Sequence, residues 1–508
     1  MHIFNAWPKA AVVVSAMVGL VVTPLGAHEV RIEHVTVVSP ERPSPLRNVS
    51  VTIKDDRIVA VGRDARLGGG STDIEIINGK GLYLAPGLID SHVHADLPGI
   101  EDAQEKASPA IARSMREQEP RSFLYFGFTT LVDLIGSREA TDTWNAQPVH
   151  PDRYFCGGAE IPGGYPPIQY LSEQNRRSLN AYMIVQSGEE GSAPVGINPS
   201  VHTPEAVVGR MKADGAICVK TFYERGFGDV DEQRAPRLDT IRALVTAAHA
   251  AHIPVLIHAN STDGQEFAVA AGADVIVHGM WHWQREQEAT ELTPRAMRIL
   301  SDVVKANIGW QPTMQVLYGL QDLFDPRYLS DPAVAHVVPP SVLEWYRSPE
   351  GQWFHDEVSS GLLPKSAVDS HDPQVRWDAA RSSLSAPITR NRNATHYMAA
   401  HSGRILFGTD TPSAPTYANP PGLNGWLEMH HLVDAGLTPW QIFRAATEAN
   451  AEALGLDRDI GTVQAGKLAN LLLLRDDPTQ TIQAYDGIFK VIVRGKVFDR
   501  QALGAEAH

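Results

Sequence analysis

The sequence predicts an α/β protein, a (β/α)8 TIM-type barrel with a small β-sandwich domain built from both chain ends. Three observations predict it. Eight short apolar runs recur through the middle of the chain, separated by helical or long connecting stretches, which is the pattern of a parallel sheet with crossover helices. Val- and Ile-rich strand material lies near both termini, so one β domain would enclose a long insertion. The 508 residues are 43% hydrophobic and 20% charged, values of a packed globular protein that exclude wholesale disorder.

Residues 1–27 read as an export signal. Lys9 precedes an apolar run from Ala10 to Val22, and Pro24 and the small pair Gly26-Ala27 follow, the order of a secretory leader. The run is shorter than the roughly 20 residues of a membrane span. The mature chain is therefore expected to be periplasmic or secreted, with no stable membrane span. Residues 28–85 form the N-terminal part of the β domain, with strand-like runs Val30–Val38, Val49–Ile53 and Arg57–Val61.

Residues 86–456 form the expected barrel. Its candidate strands are Leu84–Ile89, just overlapping the boundary, then Thr129–Leu134, Arg153–Cys156, Ala216–Phe222, Pro254–His258, Val275–His278, Ile308–Gln311 and Ile405–Gly408. Thr203-Pro204, Thr293-Pro294 and Thr438-Pro439 each place a capping threonine before a proline at the first helical position. Two expansions interrupt the pattern, about 161–202 and a larger one at 317–400, and loops of that length are usually functional or lid-like. Residues 457–508, with Leu471–Leu474 and Phe489–Val493, return to strand and complete the β domain.

The net charge is −15, from 44 Lys+Arg against 59 Asp+Glu, which argues against a nucleic-acid partner. A small-molecule substrate is the expected partner; association into a homo-oligomer stays open. Two cysteines exclude a disulfide scaffold. Cys218 shares the inward face of its strand and Cys156 lies on the preceding one, and the expectation is two buried thiols acting as small apolar groups. The 20 histidines invite a search for metal ligands.

That search leads to the strand ends. His92 and His94 close an apolar run two residues apart, so both imidazoles share a face. In a barrel this face points inward at the C-terminal mouth, where active sites form. Later runs end in Lys220, His258, His278 and Asp410, in that order. A buried lysine is costly unless its charge is removed or paired. Any one of these residues is commonplace; the ordered set offers donors of the type zinc binds.

These residues sit in motifs that resemble the metal-dependent amidohydrolase superfamily, in the branch of imidazolonepropionase-like proteins and prolidase-like dipeptidases. The motifs are Ala85-Pro-Gly-Leu-Ile-Asp-Ser-His-Val-His94, Gly408-Thr-Asp410, and Gly461-Thr-Val-Gln-Ala-Gly-Lys-Leu-Ala-Asn470, where Asn470 replaces the usual Asp. The resemblance implies two divalent metal ions, zinc being expected. His92, His94 and Asp410 would hold the more buried one and His258 and His278 the more exposed one. Lys220, carboxylated by carbon dioxide to a carbamate, would bridge both. It also implies hydrolysis of an amide, on a dipeptide or N-acyl amino acid, with Asp410 moving the proton. A lactone, ester or carbamate substrate, or a non-catalytic binding barrel, is the alternative.

For the substrate, Tyr223 is expected to donate to the developing oxyanion and Arg225 to hold a substrate carboxylate. Trp281, His282 and Trp283 are expected to form a wall beside the exposed metal. Asp90 reads as a supporting group, His430 and His431 as structural, and His355, His371 and His396 receive no role.

Overall fold

A computed structural model describes residues 29–63, 65, 74–94, 96–166, 172–226 and 233–507. The expected export signal at residues 1–27 lies outside the described residues. Two sheets organise the chain. The first contains β1 (Glu29–Val37), β2 (Leu46–Lys54), β3 (Arg57–Gly62), β4 (Ile74–Asn78) and β5 (Tyr83–Pro86). The second is a seven-stranded sheet of β6 (Leu88–Val93), β7 (Phe128–Asp133), β8 (Asp152–Ala159), β9 (Cys218–Phe222), β10 (Val255–His258), β11 (Val275–Val277) and β12 (Gly309–Gln311). These seven pair in chain order and all in parallel.

Strands β13 (Leu471–Leu474), β14 (Ile488–Val493) and β15 (Lys496–Asp499) join the first sheet from the far end of the chain. The join is direct, because β13 pairs antiparallel with β5. Both chain ends thus build one sheet, as the sequence suggests, but the sheet is continuous. Here β13 extends the N-terminal strands edge to edge, and Ala469 N also donates to Asp56 O between β2 and β3. Period-two alternation then divides the work of β13. Leu471 and Leu473 pack with Val30, Ile32 and Val51 in the sheet's own core, while Leu472 and Leu474 join the core that contains Phe126 and Phe128.

The first expected barrel strand, Leu84–Ile89, is in fact the end of β5 and the start of β6, in different sheets. Gly87 separates them. A Cβ there would lie 2.0 Å from Thr129 Oγ1, so only glycine lets the crossing backbone approach β7. The run Ile405–Gly408 is likewise not a regular strand. It nevertheless hydrogen-bonds on both sides: Leu406 N donates to Trp310 O (3.0 Å) and Ser91 N to Phe407 O (3.2 Å). Asp410 N also donates to His92 O (2.7 Å). The segment therefore lies between β12 and β6, the two edges of the parallel sheet.

Thr203, Thr293 and Thr438 each cap a helix, with the threonine oxygen accepting from a main-chain N–H of the first turn. The expansion at 317–400 is largely helical and includes Trp353–Leu362 and the 28-residue helix Pro373–Ala400. Among the described residues no helix is long and apolar enough to cross a membrane.

Inward positions of the parallel strands form a cluster of Val132, Leu134, Cys156, Cys218, Leu256, Val275, Val277 and Leu406. Within it Cys156 and Cys218 form a disulfide, which corrects the expectation of two free thiols. The reason is register. The two residues are direct partners on β8 and β9, with Cα atoms 4.5 Å apart, inside the range a disulfide needs.

Candidate metal centre

The site is built at the C-terminal ends of the parallel strands. His92, on β6, is fully buried, and His94 follows at the strand's end. Asp410 approaches from the segment beside β6. One oxygen, Asp410 Oδ1, lies 2.8 Å from His92 Nε2 and 2.9 Å from His94 Nε2. The ligand atoms of the three lie within 4.8 Å of one another. His92 Nδ1 has no hydrogen-bond partner among the described residues, and Nε2 meets only Asp410. Buried polar atoms are nearly always satisfied, so two converging imidazoles and a carboxylate fit a divalent cation. Burial opposes the Asp410 charge, but the neighbouring His92 and His94 imidazoles overcome it and hold the carboxyl well below its usual range.

His278 and His258 adjoin this group. The His278 ring centroid lies 5.2 Å from that of His92 and 4.5 Å from that of His258. His278 uses Nδ1 to bond Thr313 Oγ1 at 2.8 Å, leaving Nε2 for a ligand. His258 uses Nε2 to bond Glu224 Oε2 at 3.2 Å, leaving Nδ1. In each case an outer partner orients the ring, as metal-binding histidines require, and the Glu224 carboxylate, which accepts, also keeps a proton on His258 Nε2. Lys220, on β9, is buried between them in charge terms: burial pushes its amine down to about 7, while the Asp410 charge works the other way.

Asp90 supports this group from β6. Its carboxylate accepts from Thr409 Oγ1 at 2.6 Å and from the His92 and Thr409 main-chain N–H groups. Backbone strain also concentrates here. Asp410 (φ 60°), His278 (φ 79°) and Thr313 (φ 42°) all adopt the left-handed region, which costs about 1–2 kcal/mol for a residue with a side chain. Such conformations persist where surrounding structure over-determines them.

A cavity of about 1770 Å³ opens over these residues and is lined by His92, His94, Lys220, His258, His278 and Asp410. Trp281 and His282 also line it. Trp283 does not: it is fully buried and donates its indole N–H to Met280 O. Tyr223 and Arg225 are not among the lining residues either. The Tyr223 ring packs against Phe267 at 4.6 Å, and Arg225 is exposed.

The residue between them, Glu224, is the one that faces His258. Period two finds it, because Cys218, Lys220, Phe222 and Glu224 share one face while Tyr223 and Arg225 share the other. Tyr165 was also missed. Its ring lies 4.4 Å from that of His258 and lines the cavity, and it comes from the 161–202 expansion, where no periodicity marks it. His431 is structural, bonded to Gln315 Oε1 at 2.9 Å and stacked on Tyr318.

Comparison with known proteins agrees with this geometry. Residues 351–498 match the model of the amidohydrolase family. A dihydroorotase from Staphylococcus epidermidis is 31% identical over 100 residues, which is 19% of this chain and 20% of that protein. The chain thus matches only about a fifth of that relative's length. A solved Xaa-Pro dipeptidase with bound methionine in its active site superposes with a TM-score of 0.61 at 18% identity, covering 93% of this chain and 100% of that one. The ochratoxinase of A. niger gives 0.61 at 20% identity, covering 93% and 96%. At such identities the solved structures speak for the fold, and the family match speaks for kinship. Residues 351–498 are thus similar to the amidohydrolase family, and the fold of the chain is similar to that of the solved dipeptidase and ochratoxinase.

Proposed function

We propose that the protein is an exported hydrolase of a C–N amide bond in a small molecule, a dipeptide of the Xaa-Pro kind or an N-acyl amino acid. In this reading the segment Ile405–Asp410 is the eighth stave of a closed (β/α)8 barrel, since it bonds to both edges of the parallel sheet. One observation carries the proposal: His92 and His94 from the end of β6, with Lys220, His258, His278 and Asp410 from four other strand ends or segments, line one cavity. The Xaa-Pro dipeptidase likeness favours the dipeptide or N-acyl class.

His92, His94 and Asp410 would hold one divalent ion, and His258 and His278 a second. Bound there, two such ions, zinc by donor chemistry, would lower the pKa of a water and polarise the scissile carbonyl. Lys220 would join the two sites. With its amine near pKa 7, a neutral fraction is present at neutral pH. That amine adds to carbon dioxide, forms an N–C bond and releases one proton. The product is an anionic carbamate, which ends the cost of a buried cation.

Asp410 would take a proton from the attacking water and return it to the leaving nitrogen. Glu224 and Thr313 keep the His258 and His278 rings oriented. Tyr165 takes the place first expected of Tyr223. Burial pushes its hydroxyl up, so it remains a protonated donor beside His258. Export is supported by the leader-like residues 1–27 and by the Cys156–Cys218 disulfide, a bond typical of oxidising compartments.

Turnover of Xaa-Pro, Xaa-Arg and N-acyl amino acid panels by the metal-loaded protein tests the proposal. Hydrolysis of an amide in these panels is the expected result. Turnover of lactones or esters with no amide cleaved overturns it.

A further inference from the structure

The cavity has an apolar wall that the metal-binding residues do not account for. Trp281 begins it, with its ring 5.4 Å from that of His278. Leu317 and Leu384 cluster with Trp281, and Val316, Leu320 and Leu362 pack on that cluster. All six line the cavity. They come from the loop after β11 and from three helices of the expansion, Gln315–Asp322, Trp353–Leu362 and Pro373–Ala400. An apolar surface left facing a cavity is the signature of a site that takes an apolar group.

The charges around the cavity sharpen this. Each arginine that lines it makes at least one contact within the chain. Arg116, Arg153 and Arg177 pair with Glu105, Asp133 and Glu173. Arg138 donates to Ala213 O, and Arg390 donates to the carbonyls of Trp281 and Gln287. A bidentate clamp on a substrate carboxylate needs a guanidinium fork with free donors pointing at it. Among the described lining residues, the surface beside His278 that selection can use is apolar area.

We infer that the substrate presents a large uncharged apolar group, an aryl ring or a medium-length alkyl chain, to the wall formed by Trp281, Leu317, Leu320 and Leu384. The inference rests on the amide-hydrolase reading and names the substrate class within it. The helical expansion is then the part of the chain that sets specificity, while the strand ends carry the reaction.

Two substrate series test it with the metal-loaded full chain. One lengthens the acyl group of N-acyl-L-alanine from acetyl through butyryl and hexanoyl to octanoyl. The other keeps acetyl and enlarges the amino acid from alanine to leucine to phenylalanine. In at least one series kcat/KM is expected to rise about fourfold per added methylene-equivalent. Leu320→Ala, at a half-buried position, and Leu384→Ala should each lower the value for the best apolar substrate about tenfold more than they lower it for N-acetyl-L-alanine. Turnover with no dependence on apolar size in either series overturns the inference and leaves the hydrolase reading standing. No turnover of any member counts against the hydrolase reading. Calorimetric binding of both series to Lys220→Ala decides the inference in that case, since affinity must still rise with apolar size, and a flat response overturns it.

Discussion

The inward face of β9 carries two residues with opposite duties. Cys218, deeper in the strand, is locked to Cys156 among Val132, Leu256 and Leu406. Lys220, two residues nearer the mouth, is equally buried but sits among His92, His258, His278 and Asp410. The lower floor is apolar and cross-linked, and it serves stability. The upper floor is ionisable and strained, and in the proposed function it serves chemistry. One strand with a single side-chain period supplies both, so changes at the two depths should separate cleanly into stability and activity.

The largest expected effect is at the upper floor. Asp410→Asn should lower kcat/KM for the best amide by about 10⁴-fold, at the upper end of general acid–base contributions, with thermal unfolding little changed. Steady-state kinetics beside a melting curve checks this, and a large loss of stability with activity kept would reverse the assignment.

At the lower floor, Cys156→Ser combined with Cys218→Ser should cost about 4 kcal/mol. The disulfide closes a separation of 62 residues, and loop-closure entropy scales with its logarithm. Denaturant unfolding measures it, and kcat at a temperature where the variant is folded should be near wild type. Leu406→Ala should follow at about 3 kcal/mol, the usual cost of emptying a packed leucine site, again with kcat retained.

A smaller effect belongs between the floors. Glu224→Gln should weaken metal affinity about tenfold through the His258 ring, read by competition with a chelator. A last effect, spread over several pH units, concerns a buried carboxyl on the helix Leu423–Asp434. Burial pushes Glu428 up to about 8, against an ordinary value of 4.5. Between those values the unfolded chain releases a proton that the folded chain retains. Its stabilising contribution is therefore complete below pH 4.5 and is lost as pH rises toward 8. Glu428→Gln should flatten that decline by on the order of 1 kcal/mol per pH unit, seen as a stability gap that widens in the variant's favour from pH 5 to 8.

How much of this was legible in the sequence depends on the range of the information. Strand ends carry their own signal, because a polar residue that closes an apolar run stands out locally. His92, His94, Lys220, His258, His278 and Asp410 are visible in that way. The capping threonines are visible for the same reason. What depends on parity was legible but needs counting: Glu224 lies on the Lys220 face and Tyr223 on the opposite one. What depends on register between strands was not. The pairing of Cys156 with Cys218 follows from how β8 meets β9, and no local pattern fixes that. Sheet membership was hidden too, since the apolar run from Leu84 to Val93 crosses from one sheet to the other at Gly87. The role of Tyr165 depends on how an irregular expansion folds back over His258, which leaves no periodic trace.

In the proposed function two ions share the upper floor through Lys220. Metal content per folded chain, measured by plasma mass spectrometry on the wild type and on Lys220→Ala after equilibration with zinc and bicarbonate, tests it most directly. Two zinc ions per wild-type chain and the loss of one in the variant are expected. A wild-type chain that holds one ion or none, or a variant that keeps both, would contradict it.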